Sequence, residues 1–457
     1  MKVFKIHCSY FGLSLLLLSG HTSCKKFIEI PPPPTQVVSG TAFSNDNSAT
    51  SAMIGLYSEM TRTNLNFANG AITLYCGLSA DEIYRTSSSS TIDPFILNEI
   101  PSTSTIVKNN FWTAPYSYIY HANAVLEGLS NSKISDPVKM QLTGEAKLTR
   151  AFCYLYLVNL FGDVPLILTT DYRINATEGR TSLNTVYNQI IQDLIDAKNS
   201  LKESYPSTGR LRPNKWAAAT LLARAYLYRG EWQKAEQEAI GIINSGLYSL
   251  ATVTSPLSSS NEVIWQIGRD AANTTEGAAF IPSSSTVKPT YAITDSLLKA
   301  FETGDERKAN WLKSTTVGGQ TYYYPFKYKI ASSTTVTERL IVLRYAEVLL
   351  IRAEARIKQN NTTGALTDLN TIRNRASLPG ISSSSSAAEI FDAIQKERQT
   401  EFFCEWGHRW LDLKRTGTVN SILRNLKPYT WQPTDALYPI PFSEIESNTF
   451  LTQNPGY

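Results

Sequence analysis

The chain has 457 residues, of which 42% are hydrophobic and 18% charged, and a formal charge of +4 that falls to about +2 once Lys2 and Lys5 leave with an N-terminal leader. So small a surplus argues against a nucleic-acid or anionic-membrane surface, and no later apolar run reaches the roughly 20 residues of a membrane-crossing helix. With His121 and His408 the only histidines outside the leader, and no HExxH, Walker or GxSxG motif, a His-rich zinc centre, a phosphate loop and a serine-hydrolase elbow are excluded, and no cofactor or metal is expected.

Residues 1–23 have the three-part layout of a secretory signal: Lys2 and Lys5, the leucine run 13–18, then Thr22 and Ser23. Small residues ending at Cys24 resemble a bacterial lipoprotein signal, in which the cysteine becomes the lipidated first residue of the mature chain; His21 stands where such signals usually carry an aliphatic residue. Residues 24–36 include Pro31, Pro32, Pro33 and Pro34 and read as a stiff, extended tether of roughly 3.1 Å per residue. Cys8 leaves with the leader, so Cys76, Cys153 and Cys404 remain and allow one disulfide at most. Cys153 lies on an apolar helical pattern, as a small buried hydrophobe does.

Further along, hydrophobic spacing predicts helices in pairs. A split pair joins 47–62 to 112–130 across a polar loop. The stretch 138–160 carries Leu148, Phe152, Leu155 and Asn159 on one stripe and closes at Gly162 and Pro165. Its partner, 181–201, places Leu183, Val186, Tyr187, Ile190, Ile191, Leu194 and Ile195 on one face. A second hairpin, 213–229 with 232–244, puts Leu222, Ala223, Tyr226, Ala235 and Ala239 at tetratricopeptide positions. A third pairs 339–358 with 363–375, and its Leu-Leu-Ile-Arg-Ala at 349–353 echoes Leu-Leu-Ala-Arg-Ala at 221–225. The expected fold is mainly α, a tetratricopeptide-like superhelix of hairpins with long irregular insertions. It divides into a repeat region 37–250 with an insertion at 67–110, an irregular ligand-site region 251–337, a last repeat 338–376, and a loop-rich C-terminal region 377–457 packing on the repeats.

Several blocks carry a resemblance. They are the opening Cys24-Lys25-Lys26-Phe27, the helix 144–152 leading to Phe161-Gly162-Asp163-Val164-Pro165, Arg344-Tyr345-Ala346-Glu347 with Arg352-Ala353-Glu354-Ala355, 370–376, 397–415, and the ending Tyr438-Pro439-Ile440-Pro441 through Gln453-Asn454-Pro455-Gly456-Tyr457. In this order they resemble the SusD/RagB family. The resemblance implies a lipid-anchored, cell-surface outer-membrane protein that binds a nutrient, commonly a glycan or oligosaccharide and sometimes a peptide. It also implies delivery to a SusC-like TonB-dependent transporter, on which the protein sits as a lid, and no enzymatic activity.

A sugar offers apolar C–H faces rimmed by hydroxyls, so its site needs exposed rings flanked by polar groups. Among residues outside the helical stripes, Tyr75, Tyr84, Trp311 and Tyr323 are the candidate platforms. Asp81, Glu82, Arg85, Arg269 and Asp270 are their candidate polar partners. Trp265 reads as strand core, and Tyr322 to Tyr324 as a strand burying alternate rings. Glu397 and Glu401, one helical turn apart, read as an ion-paired helix end, and 405–415 as a docking block of aromatic anchors and ion pairs. Two other classes stay open: a scaffold that binds a partner protein in a helix-lined groove, and a glycosidase, which needs two carboxyl groups about 5–10 Å apart in an open cleft.

Overall fold

The structure, a computed structural model, describes residues 42–269 and 271–457; Cys24, the leader and tether, and Asp270 lie outside the described residues. Helix α1 (Asp46–Arg62) starts at Asn45, whose side-chain oxygen accepts the Ser48 N–H, and buries Met53, Leu56 and Met60. Then follow α2 (Ala71–Ser79), β1 (Ile83–Arg85) and α3 (Asp93–Leu97). The sequence reading treats 67–110 as irregular, but all nine residues of α2 are buried. A helix that is apolar all round has no polar face and produces no amphipathic stripe to detect.

Helices α4 (Ala114–Ser130), α5 (Asp136–Phe161), α6 (Leu183–Ser200), α7 (Lys215–Tyr228) and α8 (Trp232–Asn244) pack each against the next, and α1 lies on α4 and α5. Ser182 caps α6, and Asn214 caps α7 by accepting the Trp216 and Ala217 N–H groups at 3.1 Å each.

The stretch expected to be irregular, 251–337, holds β2 (Val263–Ile267), β3 (Tyr291–Ile293), α9 (Asp295–Ala300), α10 (Glu306–Trp311), β4 (Leu312–Val317) and β5 (Gln320–Pro325). After β6 (Leu340–Arg344) come α11 (Tyr345–Lys358) and α12 (Thr362–Arg375), the last hairpin, which stacks on α8. The helix expected from 339 therefore begins six residues later. Leu340 to Arg344 are all buried, and a continuous apolar run of this kind reads equally as helix or strand. The strands form three antiparallel pairs, β1 with β3, β2 with β6 and β4 with β5. Trp265 is wholly buried on β2, and in β5 Tyr322 and Tyr324 are buried while Tyr323, on the other face, is half-buried.

The C-terminal region contributes α13 (Ala387–Phe402), opened by a Ser386–Glu389 capping box, then α14 (His408–Arg415) and α15 (Val419–Leu426). Helix α13 packs on α11 and α12, and α14 packs on α2. The approach to α2 is made at Gly407, whose φ of 65° favours glycine and where a Cβ would lie 2.8 Å from that of Cys76.

Charge pairs tie these layers together. Arg224 on α7 donates to both oxygens of Glu347 on α11, at 2.5 and 2.7 Å, so the second and third hairpins are joined by a buried ion pair. Glu401 accepts from Arg307, Arg344 and Arg375, and Glu397 from Arg307 and Arg373. Arg398 pairs with Asp412, and Glu405 with Lys327 and Arg344. Burial works against the charge on Glu401, but three guanidinium groups hold its carboxyl well below the ordinary range. Cys76, Cys153 and Cys404 are buried free thiols.

Candidate functional site

A cleft of about 680 Å³ opens where four separate stretches converge. The first runs from the end of α2 through β1 and α3, supplying Leu78, Ala80, Asp81, Ile83, Tyr84, Ile96 and Leu97. The start of α9 supplies Thr294, Asp295 and Ser296, the β4–β5 turn supplies Gln320, and the end of α15 supplies Leu426 to Thr430. The volume falls in the range of ligand pockets, roughly 300–1,000 Å³, and the lining mixes apolar side chains with a few convergent polar ones, as such pockets do.

Local structure fixes each wall. Tyr84 pairs with Ala292 across β1 and β3, and the Thr294 N–H continues that pairing by donating to the Glu82 carbonyl at 3.0 Å. The Thr294 hydroxyl donates to the Asp81 carbonyl at 2.5 Å and also accepts the Leu297 N–H, capping α9. Below the floor, Arg409 on α14 donates to the two oxygens of Asp81 at 2.7 and 2.9 Å, and Ser296 adds a hydroxyl donor at 2.9 Å. Burial works to raise the Asp81 pKa, but these donors and the Arg409 charge outweigh it and keep the group below the ordinary carboxylate value.

The opposite rim is held by Lys427. Its ammonium donates to the Leu78 carbonyl at 3.3 Å, the Ser79 carbonyl at 2.9 Å and Asn98 Oδ1 at 2.6 Å, satisfying the C-terminal carbonyls of α2. Burial pushes this amine down to about 7. The anchored loop carries Tyr429 out to the rim, where the ring is 95% exposed. Leu426 and Leu97 are exposed beside it. A monomeric surface leaves such contiguous apolar groups open mainly where something binds.

The two tyrosine rings present faces that attract polarised C–H groups. Around them, Thr294, Asp295, Ser296, Gln320 and Thr430 supply hydroxyl, carboxylate and amide groups that exchange hydrogen bonds with hydroxyl-rich ligands.

Two family models match the chain. One, described as the SusD family, matches residues 304–457, and the other, described as starch-binding and associating with the outer membrane, matches residues 59–227; together they take in well over half of the sequence. A SusD-like protein of Formosa agariphila is 25% identical in an alignment covering 95% of this chain and 97% of that protein. A SusD superfamily structure from Bacteroides vulgatus superposes with a TM-score of 0.79 at 20% identity, over 90% of this chain and 99% of that one. The chain belongs to the SusD family. A solved SusD-like protein described as laminarin binding has the same fold, with a TM-score of 0.75 at 23% identity over 91% of this chain and 100% of that one. The two SusD models include the α2–α3 wall on one side and the β4–β5 turn and α15 loop on the other. Among the described residues no helix is long and apolar enough to cross a membrane.

The site residues expected from sequence take different places in this SusD-family structure. Asp81 and Tyr84 line the cleft. Glu82, next along, turns inward, is buried, and accepts the Cys404 N–H at 3.2 Å; burial pushes its pKa up to about 8. Tyr75, expected as a platform, lies in the core, its ring centroid 4.7 Å from that of Phe95 and 5.8 Å from that of Phe111. Trp311, the other expected platform, is 1% exposed, donates its indole N–H to the Val253 carbonyl at 2.9 Å, and lies under Lys327, Arg344 and Arg375. Neither ring has a face free for a ligand. Arg85 caps its own loop by donating to the Ser87 and Ser88 carbonyls. Arg269, just past β2, ties to the segment after α1 through Asn64 Oδ1 at 2.7 Å, and Tyr323 packs half-buried on β5; neither lines the cleft. Asp270 lies outside the described residues. Sequence reasoning missed Tyr429, Asp295 and Gln320. The one signal for Tyr429 was Lys427-Pro428-Tyr429-Thr430, an aromatic beside a proline just past a helix end, with no stripe to bury it.

Proposed function

We propose that this protein captures a glycan or oligosaccharide at the cell surface, binding it in the cleft between Tyr84 and Tyr429. The observation that carries the reading is the exposed Tyr429 ring standing over a rim of hydroxyl, amide and carboxylate groups, in a chain whose family includes glycan binders by name. Lipidation at Cys24 would hold the protein on the outer membrane, and a SusC-like TonB-dependent transporter would receive the ligand; both follow from the sequence resemblance and family membership.

The carboxyl chemistry of the cleft supports binding without turnover. A glycosidase acid must hold a proton near neutral pH, which needs a raised pKa. Asp81 is instead kept ionised by Arg409, and Glu82, whose pKa is raised, faces the interior.

The test is calorimetry and affinity electrophoresis of the chain from Lys25 onward against polysaccharides, oligosaccharides and peptides, with product analysis of the same mixtures. Saturable glycan binding with no released sugar is expected; binding of peptides alone, or release of product, overturns the reading. Cys24→Ala should move the full-length protein from the membrane fraction to the soluble fraction, and a variant that stays membrane-bound refutes the lipid anchor. Co-purification of a TonB-dependent transporter with the native protein tests the partner.

A further inference from the structure

We propose that the cleft selects uncharged saccharides and rejects those bearing carboxylate or sulfate groups, an inference that rests on the glycan-binding reading above. The charge around the cavity decides this. Two carboxylates line it. Asp81 sits in the floor with its charge matched by Arg409. Asp295, in the first turn of α9, is exposed and has no ion pair among the described residues.

Among the described residues the one cationic side chain in the lining is Lys427, and its three N–H groups are directed at the Leu78 and Ser79 carbonyls and Asn98 Oδ1, beneath the rim. Arg409 is half-buried behind Asp81. Lys299 on α9 and Arg424 on α15 belong to the flanking helices but line no part of the cavity. The free charge facing a ligand is therefore negative. An acidic saccharide would lose hydration on entry, meet Asp295, and find no guanidinium or ammonium to take its charge.

A neutral saccharide meets the same groups favourably. The Asp295 carboxylate has about four lone-pair sites and accepts from neighbouring hydroxyls, a charge-assisted bond stronger than a neutral one. Gln320 and Thr430 both donate and accept, which suits hydroxyls of either role, and Ser296, whose proton goes to Asp81, accepts. Asp295 is thus a specificity residue: it strengthens the hold on a diol and repels an anion.

The experiment compares laminarin, starch, xylan and galactan, each beside its own carboxymethylated derivative, with alginate and a sulfated galactan as natural acidic glycans. Affinities are measured at about 20 mM and 300 mM salt for the wild type and for Asp295→Asn. The expected result is binding of a neutral polysaccharide with its carboxymethyl form weaker by about fivefold or more at low salt, as one unmatched charge pair at close range implies. That gap should narrow at high salt and in Asp295→Asn. Equal or tighter binding of the carboxymethyl form, or binding of the acidic glycans alone, overturns the inference while leaving glycan capture intact. Failure of every saccharide to bind removes both together.

Discussion

Arg409 holds Asp81 through two hydrogen bonds, 2.7 and 2.9 Å, between residues 328 positions apart in the sequence. The pair fastens the C-terminal block to the floor of the cleft, so the docking role expected for 405–415 extends to the site itself. Arg409→Ala leaves Asp81 buried with its charge unmatched, which should cost roughly 3–5 kcal/mol. Urea unfolding measures the loss, and Asp81→Asn in the same chain should recover part of it. An Arg409→Ala protein with the wild-type midpoint would show that the pair carries little.

Tyr429 should behave in the opposite way. With 95% of its surface exposed, its removal leaves the packing untouched, and surface changes of this kind usually move stability by less than about 0.5 kcal/mol. An aromatic platform under a planar ligand is worth about 1–3 kcal/mol in the nucleic-acid case, roughly fivefold to 150-fold in affinity. Tyr429→Ala is therefore expected to keep its melting temperature and to bind glycan more weakly by about fivefold or more. Unchanged affinity by calorimetry would take the ring out of the site.

Trp311 gives a third contrast. A sequence reading makes it a ligand platform whose loss spares the fold. Its buried ring, hydrogen-bonded to Val253 and covered by three cations, makes Trp311→Ala a cavity mutation costing about 3–5 kcal/mol. Chemical unfolding should record this loss, and a stable Trp311→Ala protein with weakened binding would restore the platform role.

Glu82 sets a pH dependence. Its folded pKa of about 8 lies above the ordinary carboxylate value of 4.5, so between those limits the folded chain keeps a proton that the unfolded chain gives up. Stability from this group is complete below about pH 4.5 and is lost as pH rises through 8. Glu276, at about 7, has the same sign, whereas Lys414 and Lys427, lowered to about 7, add stability as pH climbs from 7 towards 10.5. The difference between wild type and Glu82→Gln isolates the one group. The variant should gain on the wild type by a kcal/mol or more between pH 5.5 and pH 9, and a constant difference would show that Glu82 keeps no proton.

Most of the stacked helices were legible because they have a wet face and a dry one, whereas α7, buried from Trp216 to Leu227, was legible through its small residues and its echo of 349–353. The stripe on 181–201 corresponds to α6 at Leu183–Ser200, and 232–244 matches α8 at both ends. Where burial is complete the signal disappears, as in α2, or becomes ambiguous, as in β6. The cleft was half legible for a related reason. Asp81 and Tyr84 stood out as polar and aromatic residues in a stretch without helical spacing, but so did Trp311, which the strand pairs and short helices of 251–337 bury. Tyr429, Asp295 and Gln320 have nothing in common along the chain, and only the packing of α14 on α2, of α15 on α14 and of β3 on β1 and β5 brings them together.

The four-part construction of the cleft has an evolutionary consequence. None of its walls is a repeat helix, and each is a turn, an element end or a short element that can change independently of the others. Lengthening a surface loop adds little closure entropy, about 0.6 kcal/mol per doubling. A descendant of this chain could therefore acquire a new diet by altering the β4–β5 turn at Gln320 or the segment after Leu426, while the stack of α4 to α8 with α11 and α12 passed unchanged from one lineage to the next.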